Sequence, residues 1–112
     1  MSMHPAHPAV WAALLAALAG CAGAPRPVRH EIGITAFVYQ PGDEPVHPGD
    51  TLVFVNHDAV PHTAIAADSA WDTGEIPAGG TISVVVPATG LGIGAYRCAF
   101  HPNMAGRLTE AR

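Results

Sequence analysis

The chain has 112 residues, a formal net charge of −4 and five basic side chains, all of them arginine. That length allows one domain, and so few cations exclude the basic surface that nucleic-acid binding needs. Its 12 glycines and 11 prolines follow no repeating period. This composition is typical of a fold built from short strands and frequent turns.

The N-terminal segment has the pattern of an export signal. Residues 9–19 form an apolar run too short to span a bilayer as a helix, and Leu-Ala-Gly then precedes Cys21. Small residues before a cysteine are typical of a bacterial lipobox. We therefore predict a lipoprotein signal peptide at 1–20 and a lipid on Cys21, which anchors the exported protein on the periplasmic side of a membrane. An ordinary secretory signal that is cut nearby is the alternative.

The rest of the chain predicts short strands separated by turns. Residues 21–30 lack apolar periodicity and are predicted to be a tether, in which His30 is a solvated linker residue. Residues 31–40 alternate and predict one strand, followed by a turn at 41–45. Further strands are predicted at 51–55, 63–67, 81–86, 95–98 and 106–109. No helical period follows residue 21, which indicates an all-β Greek-key β-sandwich, a single domain at 31–112.

Sulfur and nitrogen ligands cluster near the C-terminus. Cys98, His101 and Met104 lie within seven residues, and His62 supplies a second imidazole upstream. Two His, one Cys and one Met make a trigonal copper site with a weak axial thioether. If Cys21 carries lipid, Cys98 is a lone thiol in an oxidising compartment, and metal ligation explains it better than an inert buried cysteine does.

The motif Cys-x-x-His-x-x-Met resembles the ligand loop of the cupredoxins, the small blue copper proteins, in the short form of the amicyanin type. Asn-x-x-x-x-Pro-His upstream resembles the first ligand segment of the same family, and the resemblance covers roughly residues 31–110. It implies one copper ion with four ligands: His62 and His101 as neutral imidazoles, Cys98 as a thiolate and Met104 as a long axial thioether.

The resemblance also implies groups around the ligands. The amide of Asn56 would tie the His62 loop to the Cys98 loop, and the backbone N–H of Thr63 would point at the Cys98 sulfur. An ordinary turn residue is the alternative for Asn56. One edge of His101 should lie near the surface, within an apolar patch where redox partners dock: Pro61, Ala99, Phe100 and Pro102.

We therefore expect a monomeric carrier that passes single electrons between redox partner proteins and has no catalytic turnover. The alternative is a periplasmic protein for copper storage or delivery, but such a protein favours several exchangeable Met ligands and the mature chain has Met104 alone. Copper enzymes of this fold need additional copper centres. Structural zinc prefers closed sites of Cys and His without Met. His47 is expected to be a surface residue. His57 is expected to be a solvated loop residue, with a nearby proton or metal site as the alternative.

Overall fold

The computed structural model describes residues 26–112. The predicted signal peptide, the lipidation at Cys21 and most of the predicted tether lie outside the described residues. Eight strands are present in this part of the chain: β1 (Arg29–Thr35), β2 (Val38–Gln40), β3 (Asp43–Val46), β4 (Thr51–Asn56), β5 (Ile65–Ala66), β6 (Thr81–Val85), β7 (Ala95–Arg97) and β8 (Ala105–Glu110). No helix within residues 26–112 has the length and apolar character that a membrane crossing requires.

The strands form two four-stranded sheets. Their strand orders are β2-β1-β4-β6 and β3-β8-β7-β5. Both sheets mix parallel and antiparallel pairs: β1 runs parallel to β4, and β3 runs parallel to β8. The prediction of an all-β Greek-key sandwich in a single domain is confirmed.

An aromatic cluster joins the two sheets. Strand β4 alternates between buried and partly exposed side chains, so every second residue enters the core. The ring of Phe54 lies 6.1 Å from Tyr39 of its own sheet and 5.7 Å from Tyr96 of the other. Full burial of one such ring stabilises the fold by about 1.5–3 kcal/mol, so this cluster fixes how the two sheets sit against each other.

Residues 31–40 form a hairpin, and the prediction of one continuous strand is wrong. Strands β1 and β2 pair across a two-residue turn made by Ala36 and Phe37, with φ values of 52° and 64°. A turn with two left-handed residues normally carries Asn-Gly. Neither residue gives that signal, and the apolar alternation continues through the turn. The turn is stabilised by a residue far away in the sequence, since the backbone N–H groups of Ala36 and Phe37 both donate to the carboxylate of Asp58.

The other strands agree with the sequence to within a few residues. Strand β5 is shorter than the predicted 63–67, and β3 occupies most of the turn predicted at 41–45. There Pro45 pairs with Thr109 in the parallel ladder between β3 and β8. Strand β3 lies at the edge of its sheet. Proline has no backbone N–H to donate, and an edge strand tolerates this because one of its sides has no neighbouring strand.

His30 belongs to β1 and is half-buried, so its prediction as a solvated linker residue is wrong. Its Nδ1 and Nε2 atoms each lie 2.7 Å from a carboxylate oxygen, of Glu44 and Asp50 respectively. Burial alone would lower the pKa of His30, but these hydrogen bonds outweigh it and the net pKa is raised. Burial alone would raise the pKa of Asp50, but the N–H groups of His47 and Val28 and the bond to His30 bring it to about 2.

We expect His30→Gln to lower the free energy of unfolding by about 1–3 kcal/mol near pH 6, since hydrogen bonds to charged groups contribute on that order. A group whose pKa rises on folding stabilises the fold most below its unfolded pKa, about 6.5 for histidine. That contribution disappears as the pH rises through the folded-state value. The difference between wild type and variant in urea unfolding should therefore be largest below about pH 6.5 and shrink as the pH rises above it.

His47→Gln is the matched control, because the His47 side chain is exposed. It should change the unfolding free energy by less than about 0.5 kcal/mol. A difference between wild type and His30→Gln that stays constant as the pH rises would show that His30 is not held as a cation.

Candidate metal centre

Three of the four predicted ligands converge at one end of the sandwich. A ring nitrogen of His62, the Sγ of Cys98 and a ring nitrogen of His101 all lie within 4.8 Å of one another. Donors that share one ion at bond lengths of about 2.0–2.3 Å lie about 3.5–4 Å apart. The two imidazoles and the thiol are therefore compatible with a copper site, whose preferred ligands they are.

The loop between β7 and β8 contains Cys98, His101 and Met104 and is closed by backbone hydrogen bonds. The N–H of Cys98 donates to the carbonyl of Met104 at 3.1 Å, and the N–H of Met104 donates to the carbonyl of His101 at 2.9 Å. The Met104 side chain is 4% exposed and belongs to the same buried cluster as Cys98. Its role as the axial ligand stays a prediction.

His62 comes from the segment between β4 and β5 and is completely buried. Two backbone hydrogen bonds, of 3.1 and 2.7 Å, fasten it to Ile76. Its Nε2 lies 2.8 Å from the carboxylate of Asp58, while its Nδ1 lies 4.0 Å from Cys98 Sγ. Since a carboxylate only accepts, Nε2 carries the proton and Nδ1 presents its lone pair toward the sulfur. Metal-binding histidines are commonly oriented in this way.

Asp58 is a functional residue that the sequence analysis missed. Its carboxylate accepts hydrogen bonds from the N–H groups of Phe37, at 2.9 Å, and Ala36, at 2.7 Å, as well as from His62. The bond from Phe37 is the largest cause of the lowered pKa of Asp58, and burial opposes it only in part. An acidic residue four positions before a ligand histidine was the available signal.

The Cys98 thiol is fully buried, and the backbone N–H of Thr63 donates to its Sγ at 3.3 Å. Burial alone would raise the pKa of this thiol. The backbone N–H of Thr63 is the largest of the causes that oppose burial, and the net pKa of the thiol is lowered. Loss of the thiol proton is therefore easier here than in a free cysteine, and the thiolate is the form that binds metals.

Asn56 does not make the predicted contact with the Cys98 loop. Asn56 is fully buried, and its Oδ1 accepts a hydrogen bond from the N–H of Asp58 at 3.0 Å. Its side-chain NH2 donates to the carbonyl of Val60 in the first ligand segment and to the carbonyls of Ile76 and Pro77. The two loops are joined by Thr63 instead, whose hydroxyl accepts from the N–H of Ala99 at 2.8 Å.

Phe37 is a second residue that the sequence analysis missed. Its ring centroid lies 5.0 Å from that of His62 and 4.7 Å from that of His101, with the rings nearly perpendicular in both pairs. The residue is 46% exposed. The apolar alternation of residues 31–40 hid this contact, because it placed Phe37 inside a strand.

Apolar residues are exposed in the two loops that supply His62 and His101. His101 itself is partly exposed, and the four residues predicted to form a docking patch are all exposed: Pro61, Ala99, Phe100 and Pro102. The ring of Phe100 lies 6.5 Å from that of His101. Docking itself stays a prediction. His47 and His57 are exposed, as predicted.

No protein-family model matches the sequence, and no curated protein matches it. The structure is similar to solved structures of amicyanin. The reduced Cu(I) form of a proline-to-glycine variant at pH 4 has a TM-score of 0.60 at 19% identity, over 81% of this chain and 88% of that chain. A reduced tryptophan-to-tyrosine variant gives 0.60 at 21% identity, over 80% and 88%. A Cu(I) methionine-to-glutamine variant gives 0.60 at 20% identity, over 74% and 82%. The chain has the cupredoxin fold that its ligand motifs implied.

We expect Thr63→Val to lower the free energy of unfolding by about 1–2 kcal/mol, because the N–H of Ala99 loses its acceptor in a partly buried loop. The backbone N–H that donates to Cys98 is unchanged by this substitution. Urea unfolding of the metal-free protein measures the effect. Thr81→Val, at an exposed position of β6, is the control and should be nearly neutral. Equal effects of the two variants would show that the Thr63 hydroxyl does not join the loops.

Proposed function

We propose that this protein carries single electrons between redox partner proteins by means of one copper ion. The observation that carries the proposal is the convergence of two imidazoles and a buried thiol from distant parts of a β-sandwich. His62, Cys98 and His101 would be the strong ligands, and Met104 the weak axial one. Copper would supply the change between Cu(I) and Cu(II).

The surroundings of the ligands support a carrier. His62 is fixed by Asp58 and Cys98 by the N–H of Thr63, so both ligands are oriented by hydrogen bonds that need no metal. Ligands that are held in place before the metal binds lower the rearrangement that accompanies a change of oxidation state. Rapid electron exchange needs this low rearrangement.

Burial argues against copper delivery. His62 and Cys98 are fully buried and Met104 nearly so, whereas a protein that hands its ion to a partner needs ligands that the partner can reach. Of the metal-ligating residues in the cluster, His101 alone is partly exposed. It is therefore the point at which electrons would enter and leave.

The redox partners would dock on the apolar surface around His101, which is formed by Pro61, Ala99, Phe100 and Pro102. A small contact suits weak and rapid encounters. We further propose that the protein is exported and held on the periplasmic side of a bacterial membrane by a lipid on Cys21. This part of the proposal is supported by the sequence of the N-terminal segment.

We expect the protein, loaded with Cu(II), to show an intense thiolate-to-copper absorption band and a narrow copper hyperfine pattern in paramagnetic resonance. Cys98→Ser should abolish the band, because a hydroxyl is a poor substitute for a thiolate. The control His57→Gln, which alters an exposed histidine near the site, should keep it. Retention of the full band in Cys98→Ser would remove Cys98 from the site.

Repeated oxidation and reduction without copper loss would separate a carrier from a delivery protein.

Met104→Leu tests the axial ligand. We expect it to retain copper and to raise the reduction potential. The axial ligand tunes the potential, and the more highly charged Cu(II) gains more from a fourth donor than Cu(I), which is stable with three ligands. Voltammetry of wild type and variant measures the shift. Loss of all copper binding would contradict the assignment of Met104 as a weak ligand.

A further inference from the structure

The turn between β1 and β2 has an unusual backbone. Ala36 and Phe37 both have positive φ, at 52° and 64°. Residues other than glycine rarely adopt this conformation, and bulky ones are true outliers. Such strained residues persist where the surrounding structure holds them, and they concentrate at functional sites. Glycine would form the same turn with less backbone strain. The side chain of Phe37 is therefore expected to contribute something other than the shape of the turn.

The carboxylate of Asp58 holds this turn against the first ligand segment. It accepts the N–H groups of Ala36 and Phe37, at 2.7 and 2.9 Å, and the Nε2–H of His62 at 2.8 Å. One side chain thus fastens the strained turn and a predicted copper ligand together. Asp58 is itself held by Asn56, whose Oδ1 accepts its backbone N–H at 3.0 Å.

The ring of Phe37 is the only aromatic ring of the described chain, other than the imidazoles themselves, in contact with both predicted histidine ligands. Its centroid lies 5.0 Å from His62 and 4.7 Å from His101, and the two imidazoles lie 5.1 Å apart. The three rings form a triangle in which Phe37 bridges ligands from two different loops. Phe37 faces solvent while His62 behind it is completely buried.

We propose that Phe37 is a positioning residue of the copper site, held in its strained turn by Asp58 so that its ring covers both histidine ligands. The inference rests on the proposed function. The ring restricts the movement of His101, the more exposed of the two imidazoles, and excludes water from the edge of the site. An apolar cover lowers the local dielectric and so disfavours the additional positive charge of the oxidised site. Phe37 therefore slows copper loss and raises the reduction potential.

Two glycine substitutions in the same turn separate the ring from the backbone. Phe37→Gly and Ala36→Gly each relieve one left-handed residue, but only the first removes the ring. The full chain is loaded with Cu(II), and the decay of the blue band in excess EDTA is followed at constant pH, together with the reduction potential. Thermal unfolding of the copper-free variants is measured in parallel.

We expect Phe37→Gly to lose copper about 10- to 100-fold faster than wild type, the range that orienting partners of metal ligands usually give. Its reduction potential should be lower, and its copper-free form should unfold close to the wild-type temperature. Ala36→Gly should match wild type in copper loss and potential. Phe37→Asn, which tolerates the left-handed backbone, provides the same comparison if the glycine variant does not fold.

Wild-type rates and potential in Phe37→Gly would overturn the inference and leave the proposed function intact. Equally fast copper loss from Ala36→Gly would also overturn it, because rigidity of the turn, rather than the ring, would then retain the ion. A wild-type protein without the blue band would overturn the proposed function, and this inference with it.

Discussion

Thr63 makes the two contacts that join the segments of the candidate metal centre. Its backbone N–H donates to Cys98 Sγ, and its hydroxyl accepts the N–H of Ala99. These two bonds cross between the segments that supply His62 and Cys98, which are 36 residues apart in sequence. Neither segment alone holds both His62 and Cys98, because the two residues belong to different loops. The packing of the two sheets brings the loops close, and Thr63 sets their relative position.

The sequence predicted what depends on local pattern. Strand β4 is nearly continuous in apolar residues, and the spacing of Cys98, His101 and Met104 indicates a ligand loop without knowledge of the fold. Two of the errors, the turn at Ala36 and the position of His30, involve contacts between residues far apart in the chain. The turn at Ala36 is stabilised by a carboxylate 22 residues away, and His30 is held by one 20 residues away. No local propensity contains that information, because such bonds exist only after the sheets have formed.

Asn56 shows why a family motif predicts a residue more safely than its contacts. Asn56 lies at the end of β4 and is buried, but its amide is engaged by carbonyls of its own segment and of residues 76–77. The hydroxyl of Thr63 takes over the link to the Cys98 loop. The link between the two ligand loops is thus made by a different side chain from the one that the motif suggests. A motif of fixed residue types does not reveal such an exchange.

Two carboxylates that flank β4 hold the two ends of β1. Asp50 precedes β4 and accepts from Val28 and His30, while Asp58 follows β4 and accepts from the turn at Ala36. Because β1 runs parallel to β4, a slip of even one residue in their pairing would break both attachments at once. The strand therefore acts as a spacer of fixed length, roughly 20 Å for seven residues. His62, which is bound to Asp58, therefore lies near the end of β1 opposite to the one at which the described chain enters the domain.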